Sequence, residues 1–298
     1  MEKIIIIGSS NLDITARIKT LPKPGETVGG GRLCHAGGGK GANQAVAAAR
    51  LGADVTFVTC VGDDDSGNRM ARQFGAEGID TSRIKVSDSP TGTALIFVDD
   101  NGENCIAVTP GANDDLLPED VEAVRDSIEA SSYMLLQLEI PMPTVLKAID
   151  IAAENGVKVV LNPAPMKILP DDIFKKLYLI SPNEIEAETL TGIHIESEDD
   201  AQRAADALMM KGVKNVIVTM GSAGSFVCTE KHSCFVPATK ANAIDTTAAG
   251  DVYNGAIVAA LAKGKSIEEA AVFATKASGI SVTRMGAQTS APYRNEID

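Results

Sequence analysis

The chain has 298 residues, 44% of them hydrophobic and 22% charged, which is ample for a large buried core. Its formal net charge of −13 excludes the basic surface that a nucleic-acid partner calls for. No apolar run approaches the length that spans a bilayer, and the opening MEKIIIIGSS is too short in its apolar part for a signal peptide, so a cytoplasmic location is expected.

Residues 4–7 form a short β-branched run ended by Gly8, Ser9 and Ser10. Similar runs follow at 55–61, 133–138, 158–161, 178–180 and 216–218; none alternates strictly, as expected of strands covered on both faces. Helical patterns fall between them at 42–51, 118–130, 144–154 and 199–210. Strands alternating with helices predict a single α/β domain, a doubly wound, mostly parallel sheet flanked by helices.

Two segments break this rhythm. Residues 13–35 alternate Ile14, Ala16 and Ile18 before Pro22, Pro24 and Gly29-Gly30-Gly31, and residues 93–98 and 104–108 flank turn residues 99–102. Both read as antiparallel, and together they predict a small β lid built from segments of about 13–35 and 90–108.

The five cysteines, Cys34, Cys60, Cys105, Cys228 and Cys234, contain no CxxC pair, and His35, His194 and His232 are scattered, so neither a disulfide framework nor a zinc site is expected.

Ligands of doubly wound sheets bind beyond the carboxyl ends of the strands. There the chain carries Asn11 and Asp13, then Glu139, Asn162, Asn183 with Glu186, and Gly221 with Ser222. Any one alone is more often a cap or turn residue; as a set they predict a binding crevice.

The run AGGGKGANQ (36–44) leads into a helix and offers Lys40 and Asn43 at its mouth. It matches neither a dinucleotide fingerprint, lacking a buried strand before it, nor a P-loop, where Gly41 stands in place of Ser or Thr.

The strongest signal is DTTAAGDVYNGA (245–256). A turn of small residues, Ala248, Ala249 and Gly250, opens an apolar helix whose first N–H groups make an anion hole. Asp251 sits beside it, placed to accept the proton of a hydroxyl that attacks phosphorus.

AGGGKGANQ and DTTAAGD resemble the two signatures of the ribokinase/phosphofructokinase-B family of sugar kinases. GSSNLD, PGETV, GDDDSG, MLLQLE, LNPAP, SPNEIEAE, TMGSAG and VTRMGAQTS extend the likeness, in family order, along nearly the whole chain.

The resemblance implies transfer of a phosphoryl group from ATP to the 5-hydroxyl of D-ribose, with deoxyribose, a hexose or a nucleoside as the alternative acceptor. It makes Asp251 the general base, with the backbone of Ala248, Ala249, Gly250 and Asp251 stabilising the transferring group. Asn11, Asp13, Gly39, Lys40, Asn43 and Glu139 would hold the sugar. Thr219, Gly221, Ser222, Gly224, Gly250 and Thr275 would line the nucleotide cleft, and Asn183 and Glu186 would organise Mg²⁺ and the phosphates. A K⁺ ion would take oxygens from Asp245, Thr247, Ser281, Arg284, Gly286 and Ser290. The lid would pair with that of a second subunit to make a homodimer.

Two readings from other classes compete. A dinucleotide-dependent oxidoreductase would need a glycine fingerprint directly after residues 4–7, which GSSNLD lacks, and a sugar-binding protein without catalysis would have no use for Asp251.

Overall fold

The structure, a computed structural model, describes residues 2–297. Its strands in chain order are β1 (Lys3–Ile7), β2 (Asn11–Arg17), β3 (Arg32–Gly38), β4 (Asp54–Val58), β5 (Cys60–Gly62), β6 (Lys85–Ser87), β7 (Gly92–Val98), β8 (Asn104–Thr109), β9 (Tyr133–Leu136), β10 (Lys158–Leu161), β11 (Leu177–Ile180), β12 (Asn215–Met220), β13 (Gly224–Thr229) and β14 (Ser233–Pro237). The helices are α1 (Lys40–Arg50), α2 (Asp65–Ala76), α3 (Pro118–Ala123), α4 (Arg125–Glu129), α5 (Met142–Glu154), α6 (Glu184–Thr191), α7 (Glu198–Met210), α8 (Ala249–Leu261) and α9 (Ile267–Ser281).

Eight strands form the main sheet in the order β14-β13-β12-β11-β10-β9-β1-β4. From β12 to β4 all pair in parallel, and β13 and β14 add an antiparallel edge. β1, buried at every position after Lys3, shows why a continuous apolar run was needed: Ile5 and Ile7 join the core on one face, while Ile4 and Ile6 join the other. The first face is covered by α3, α5 and α7, the second by α1, α8 and α9. After β1 the chain places β4 on one side and later β9 on the other, so the topological switch lies between β1 and β9.

Several boundaries differ from expectation. The run 55–61 is two strands, because β5 leaves the main sheet to pair with β6. The run 133–138 leaves the ladder after Leu136, and the Leu138 N–H donates instead to the Ala164 carbonyl. The helix expected over 118–130 is broken at Val124, which closes α3 and opens α4.

The small sheet has the order β3-β2-β7-β8. It is not wholly antiparallel, as the two hairpin-like segments suggested. Their junction, β2 against β7, is parallel, since both strands leave the main body in the same direction. Asp13 shares a face with Ala94 and Val108; Ile14, Leu33, Leu95 and Phe97 occupy the other.

Helix α8 is buried along almost its whole length and crosses α1 at Gly255. A Cβ there would lie 2.6 Å from the Gln44 carbonyl oxygen and 2.8 Å from the Ala47 Cβ. Gly255→Ala gains about 1 kcal/mol of helix propensity but forces two packed backbones apart at roughly 1–3 kcal/mol. The contact is with backbone, so the second effect wins: calorimetry should find Gly255→Ala less thermostable than wild type, and an unchanged or higher Tm would contradict this packing.

Candidate active site

The polar residues expected at the strand ends do converge there. Glu139 follows β9, Asn162 follows β10, Asn183 follows β11, and Asp251 enters from the first turn of α8.

Asp251 is 6% exposed and accepts two amide bonds, from Asn43 Nδ2 to Oδ2 at 2.9 Å and from Gln44 Nε2 to Oδ1 at 2.9 Å. Burial raises its pKa, opposed by the Lys40 ammonium and these two donors. Before it, Ala248 adopts a left-handed conformation with φ 58°, the one non-glycine positive φ among the described residues. That strain costs about 1 kcal/mol or more and sharpens the turn into α8.

Of the N–H groups expected in the anion hole, that of Ala249 donates to the Thr246 carbonyl at 3.2 Å, because the left-handed turn folds it back on the loop. The Gly250 and Asp251 N–H groups find no acceptor among the described residues. These two, at the positive end of α8, are free to meet an anion.

Glu139 sits at the opening of α1. Its Oε2 accepts from the Lys40 backbone N–H at 2.9 Å and from the Ser9 hydroxyl at 2.6 Å, meeting a helix donor that Gly39 cannot cap. The Lys40 side chain is enclosed, which disfavours its charge, yet Asp251, Glu139 and Glu186 together raise its pKa. Asp13 approaches from the small sheet over Gly38, whose hypothetical Cβ would lie 2.2 Å from Asp13 Oδ2. Burial, then the charges of Glu139 and Asp251, push Asp13 up to about 6.

Asn11 lies within the small sheet at the start of β2, and its side-chain oxygen is bound by Asn113 Nδ2 at 2.8 Å. The glycine run also does more structural work than expected. A Cβ at Gly41 would fall 2.6 Å from the Gly8 carbonyl carbon, and one at Gly39, where φ is 86°, 2.8 Å from the Asn11 nitrogen. These glycines therefore let protein backbones meet rather than clear space only for a ligand.

Asn183 and Glu186 form a reciprocal capping box on α6, each side chain accepting from the other's backbone N–H at 2.8 and 2.9 Å. Burial raises the Glu186 pKa, with Asn183 N–H and Lys40 opposing. Thr219 bridges to Asn183 from the neighbouring strand. Gly221, Ser222 and Gly224 make the β12–β13 hairpin, where a Cβ on Gly224 would strike the Val236 carbonyl oxygen at 2.1 Å. Thr275 is buried on α9, next to the Tyr253–Ser225 hydroxyl pair.

Asp245 ties two loops, its Oδ1 accepting from Thr247 N–H and its Oδ2 from Gly286 N–H, each at 2.9 Å. Burial opposes its charge, but these bonds hold its carboxyl below the usual range. The Ser281 and Ser290 hydroxyls bond the Ser278 and Ala287 carbonyls, and the Arg284 guanidinium pairs with Glu296. Arg284, whose side chain is cationic, can offer a cation only its backbone oxygen, while Ser281 and Ser290 can offer backbone or hydroxyl oxygen.

Sequence reasoning passed over Gln44, Ser9, Gln137 and Asn254, all in contact with this network. Gln44 was open to discovery: Lys40, Asn43 and Gln44 fall at i, i+3 and i+4 on one face of α1.

A carboxylate so placed can take a proton from a hydroxyl brought beside the Gly250 and Asp251 N–H groups. Comparisons with known proteins agree with this chemistry. The model of the pfkB carbohydrate kinase family matches residues 1–294. The chain is 46% identical to a ribokinase of Haemophilus influenzae over 98% of its own length and 96% of that protein. It is 38% identical to a deoxyribokinase of Salmonella typhi, over 97% and 95% respectively. The solved ribokinase of Arabidopsis thaliana complexed with ribose and ATP superposes with a TM-score of 0.92 at 32% identity, covering 99% of this chain and 97% of that one.

The raised pKa of Asp13 makes a stability prediction. Its folded value of about 6 lies above the ordinary 3.8, so the folded state holds a proton that the unfolded state has lost. The stability this contributes is fully present below pH 3.8 and is lost as pH rises through about 6. Asp13→Asn should therefore be more thermostable than wild type at pH 8, by about 1 kcal/mol after allowance for partial solvent screening, and should gain less at pH 4. Melting curves at the two pH values check this, and a gain independent of pH would refute it.

Proposed function

The chain belongs to the pfkB family of carbohydrate kinases, and from that premise we propose that it transfers the γ-phosphoryl group of ATP to the 5-hydroxyl of D-ribose. The observation that carries the reading is Asp251, a buried carboxylate held by two amides in the same helical turn as two unpaired N–H groups.

Asp251 accepts the proton of the attacking hydroxyl, and the Gly250 and Asp251 N–H groups meet the charge of the transferring phosphoryl. Asp13, carried by the small sheet, accepts bonds from two neighbouring sugar hydroxyls, while Lys40 and Asn43 complete the sugar pocket with Gly39, Asn11 and Glu139 shaping its walls. Thr219, Gly221, Ser222, Gly224 and Thr275 border the nucleotide. A deoxyribose kinase is the second reading, favoured by the Salmonella typhi relative but at lower identity than the Haemophilus influenzae ribokinase.

The residues fit a Mg²⁺ ion that relies on the nucleotide for most of its ligands. Glu186 keeps one oxygen outside the capping box, and no group of three acidic, His or Cys residues stands ready to hold a metal among the described residues. Mg²⁺ is commonly bound by one or two carboxylates, water and substrate phosphates, and it would neutralise phosphate charge here. Asn183 would reach it through water.

A K⁺ ion fits the Asp245 loop pair. An ionised carboxylate draws the two loops together beside backbone oxygens of Thr247, Ser281, Arg284, Gly286 and Ser290, a hard-oxygen donor set. Such an ion would supply charge that fixes the loop before Ala248 without touching substrate.

A second copy of the chain covers the outer face of the small sheet, where Leu33 is 64% and Leu95 41% exposed. Sedimentation equilibrium reads this dimer directly, and a monomer at micromolar concentration would count against it.

Coupled assays of ATP consumption test the main reading. Asp251→Asn keeps shape and loses the base, so kcat should fall by about 10²–10⁴-fold while ribose still binds. D-Ribose should exceed 2-deoxyribose in kcat/KM by roughly 5- to 150-fold, the cost of one unsatisfied buried acceptor. Turnover by Asp251→Asn within threefold of wild type, on the order of 0.6 kcal/mol, would remove Asp251 from the role.

The cation has its own test. Replacing K⁺ by tetramethylammonium at constant Mg²⁺ and ionic strength should lower activity severalfold, and Asp245→Ala should abolish the K⁺ response. Indifference of the wild type to K⁺ would defeat this assignment.

A further inference from the structure

We infer that Gln44 is a positioning residue of this site, one that clamps Asp251 through Oδ1 and leaves Oδ2, on the Asn43 side, as the oxygen that takes the substrate proton. The inference rests on the reading of Asp251 as the base.

Gln44 is completely buried. A carboxylate accepts and cannot donate, so the Gln44 amide must present Nε2 to Asp251. Both hydrogens of Nε2 are then engaged, one with Asp251 Oδ1 at 2.9 Å and one with Asn162 Oδ1 at 3.1 Å. Its Oε1 accepts from Gln137 Nε2. Every polar atom of the Gln44 side chain is thus tied to a different element, leaving it no second orientation.

The chain of bonds continues past Asn162. Asn162 Nδ2 donates to the Ser181 carbonyl at 3.1 Å, the Ser181 hydroxyl donates to Asn254 Oδ1, and Asn254 Nδ2 donates to the Gly250 carbonyl at 2.8 Å. It therefore starts at the carboxylate and returns to the turn that carries the two unpaired N–H groups, fixing base and anion hole in one frame.

Asn43 is different. It gives one hydrogen to Asp251 Oδ2, and its Oδ1 is buried with no partner. A buried acceptor left unsatisfied costs free energy and calls for a donor. A substrate hydroxyl arriving on this side gives its one proton to Asp251 Oδ2, and a second hydroxyl of the same substrate can donate to Asn43 Oδ1, while the Gln44 side is closed.

The groups facing Asp251 are Lys40 and Asn43 from α1, Asp13 from β2, Glu139 after β9 and Glu186 on α6. Of the side chains around it, Lys40, Asn43 and Gln44 favour its ionised form, as does the positive end of α8, so loss of the Gln44 N–H should make Asp251 easier to protonate.

The experiment is the pH profile of kcat for Gln44→Leu, with folding checked by circular dichroism and ribose binding by calorimetry. The acidic inflection of kcat should move up by about one pH unit, with activity lost below it and largely regained at high pH. An equal loss at every pH, with the inflection unmoved, would mean a purely structural residue and overturn the inference. If Gln44→Leu does not fold, Gln137→Leu removes the bond that holds Gln44 Oε1. It should shift the inflection in the same direction by less, and an unmoved inflection there overturns the inference too. Asp251→Asn separates the two levels: an active Asp251→Asn sinks the base itself, whereas an inactive one with an unmoved Gln44→Leu profile sinks only the role of Gln44.

Discussion

An ionised carboxylate can leave water only where fixed donors replace it, and Asp251 imposes that demand on everything around it. Two amides from α1 meet its oxygens, and one ammonium from the same helix faces it. For Asn43 and Gln44 to reach, α1 must lie hard against α8, which Gly255 permits, and its first turn must cross the end of β1, which Gly41 and Gly8 permit. Packing of the second core face and placement of the base are thus one geometric problem. A small residue at each crossing solves it.

The main sheet was legible because burial on both faces writes itself as continuous apolar runs, as in Ile4–Ile7, and helices between such runs dictate parallel pairing. The edges were less so. β13 and β14 lie at the margin of the sheet and Ser233, Cys234 and Phe235 are not fully buried, so the hydrophobic signal there is diluted. The parallel pairing of β2 with β7 joins segments far apart in the chain, and no local pattern reports a partner at that distance.

Site residues divided in the same way. Asp251 was legible because three small residues before a charged one, at a helix start, are hard to explain by stability alone. Its setting was not. Ala248 looks like a good helix former and instead takes a left-handed conformation, which withdraws Ala249 from the anion hole. Nothing in the residue type signals that; the constraint comes from the loop held by Asp245. Asn183 and Glu186 carried the spacing of a capping box and proved to be one. That does not disqualify them as neighbours of phosphate, since a cap leaves one carboxylate oxygen of Glu186 uncommitted.

The electrostatics of the crevice explain why side chains alone cannot hold ATP here. Glu139, Glu186 and Asp251 surround Lys40, with Asp13 facing Glu139 and Asp251; burial first, and repulsion from neighbouring carboxylates after it, raises the pKa values of Asp13, Glu186 and Asp251. A polyanion entering such a site would be repelled unless its charge were met by groups that are not ordinary cationic side chains. The helix end at Gly250 offers partial positive charge of that kind, and on the proposed function a divalent ion would come in with the nucleotide to supply the rest. The acidic residues are then useful rather than hostile. Asp251, Glu139 and Glu186 keep Lys40 charged, so that the ammonium they enclose stays available beside the carboxylate it faces.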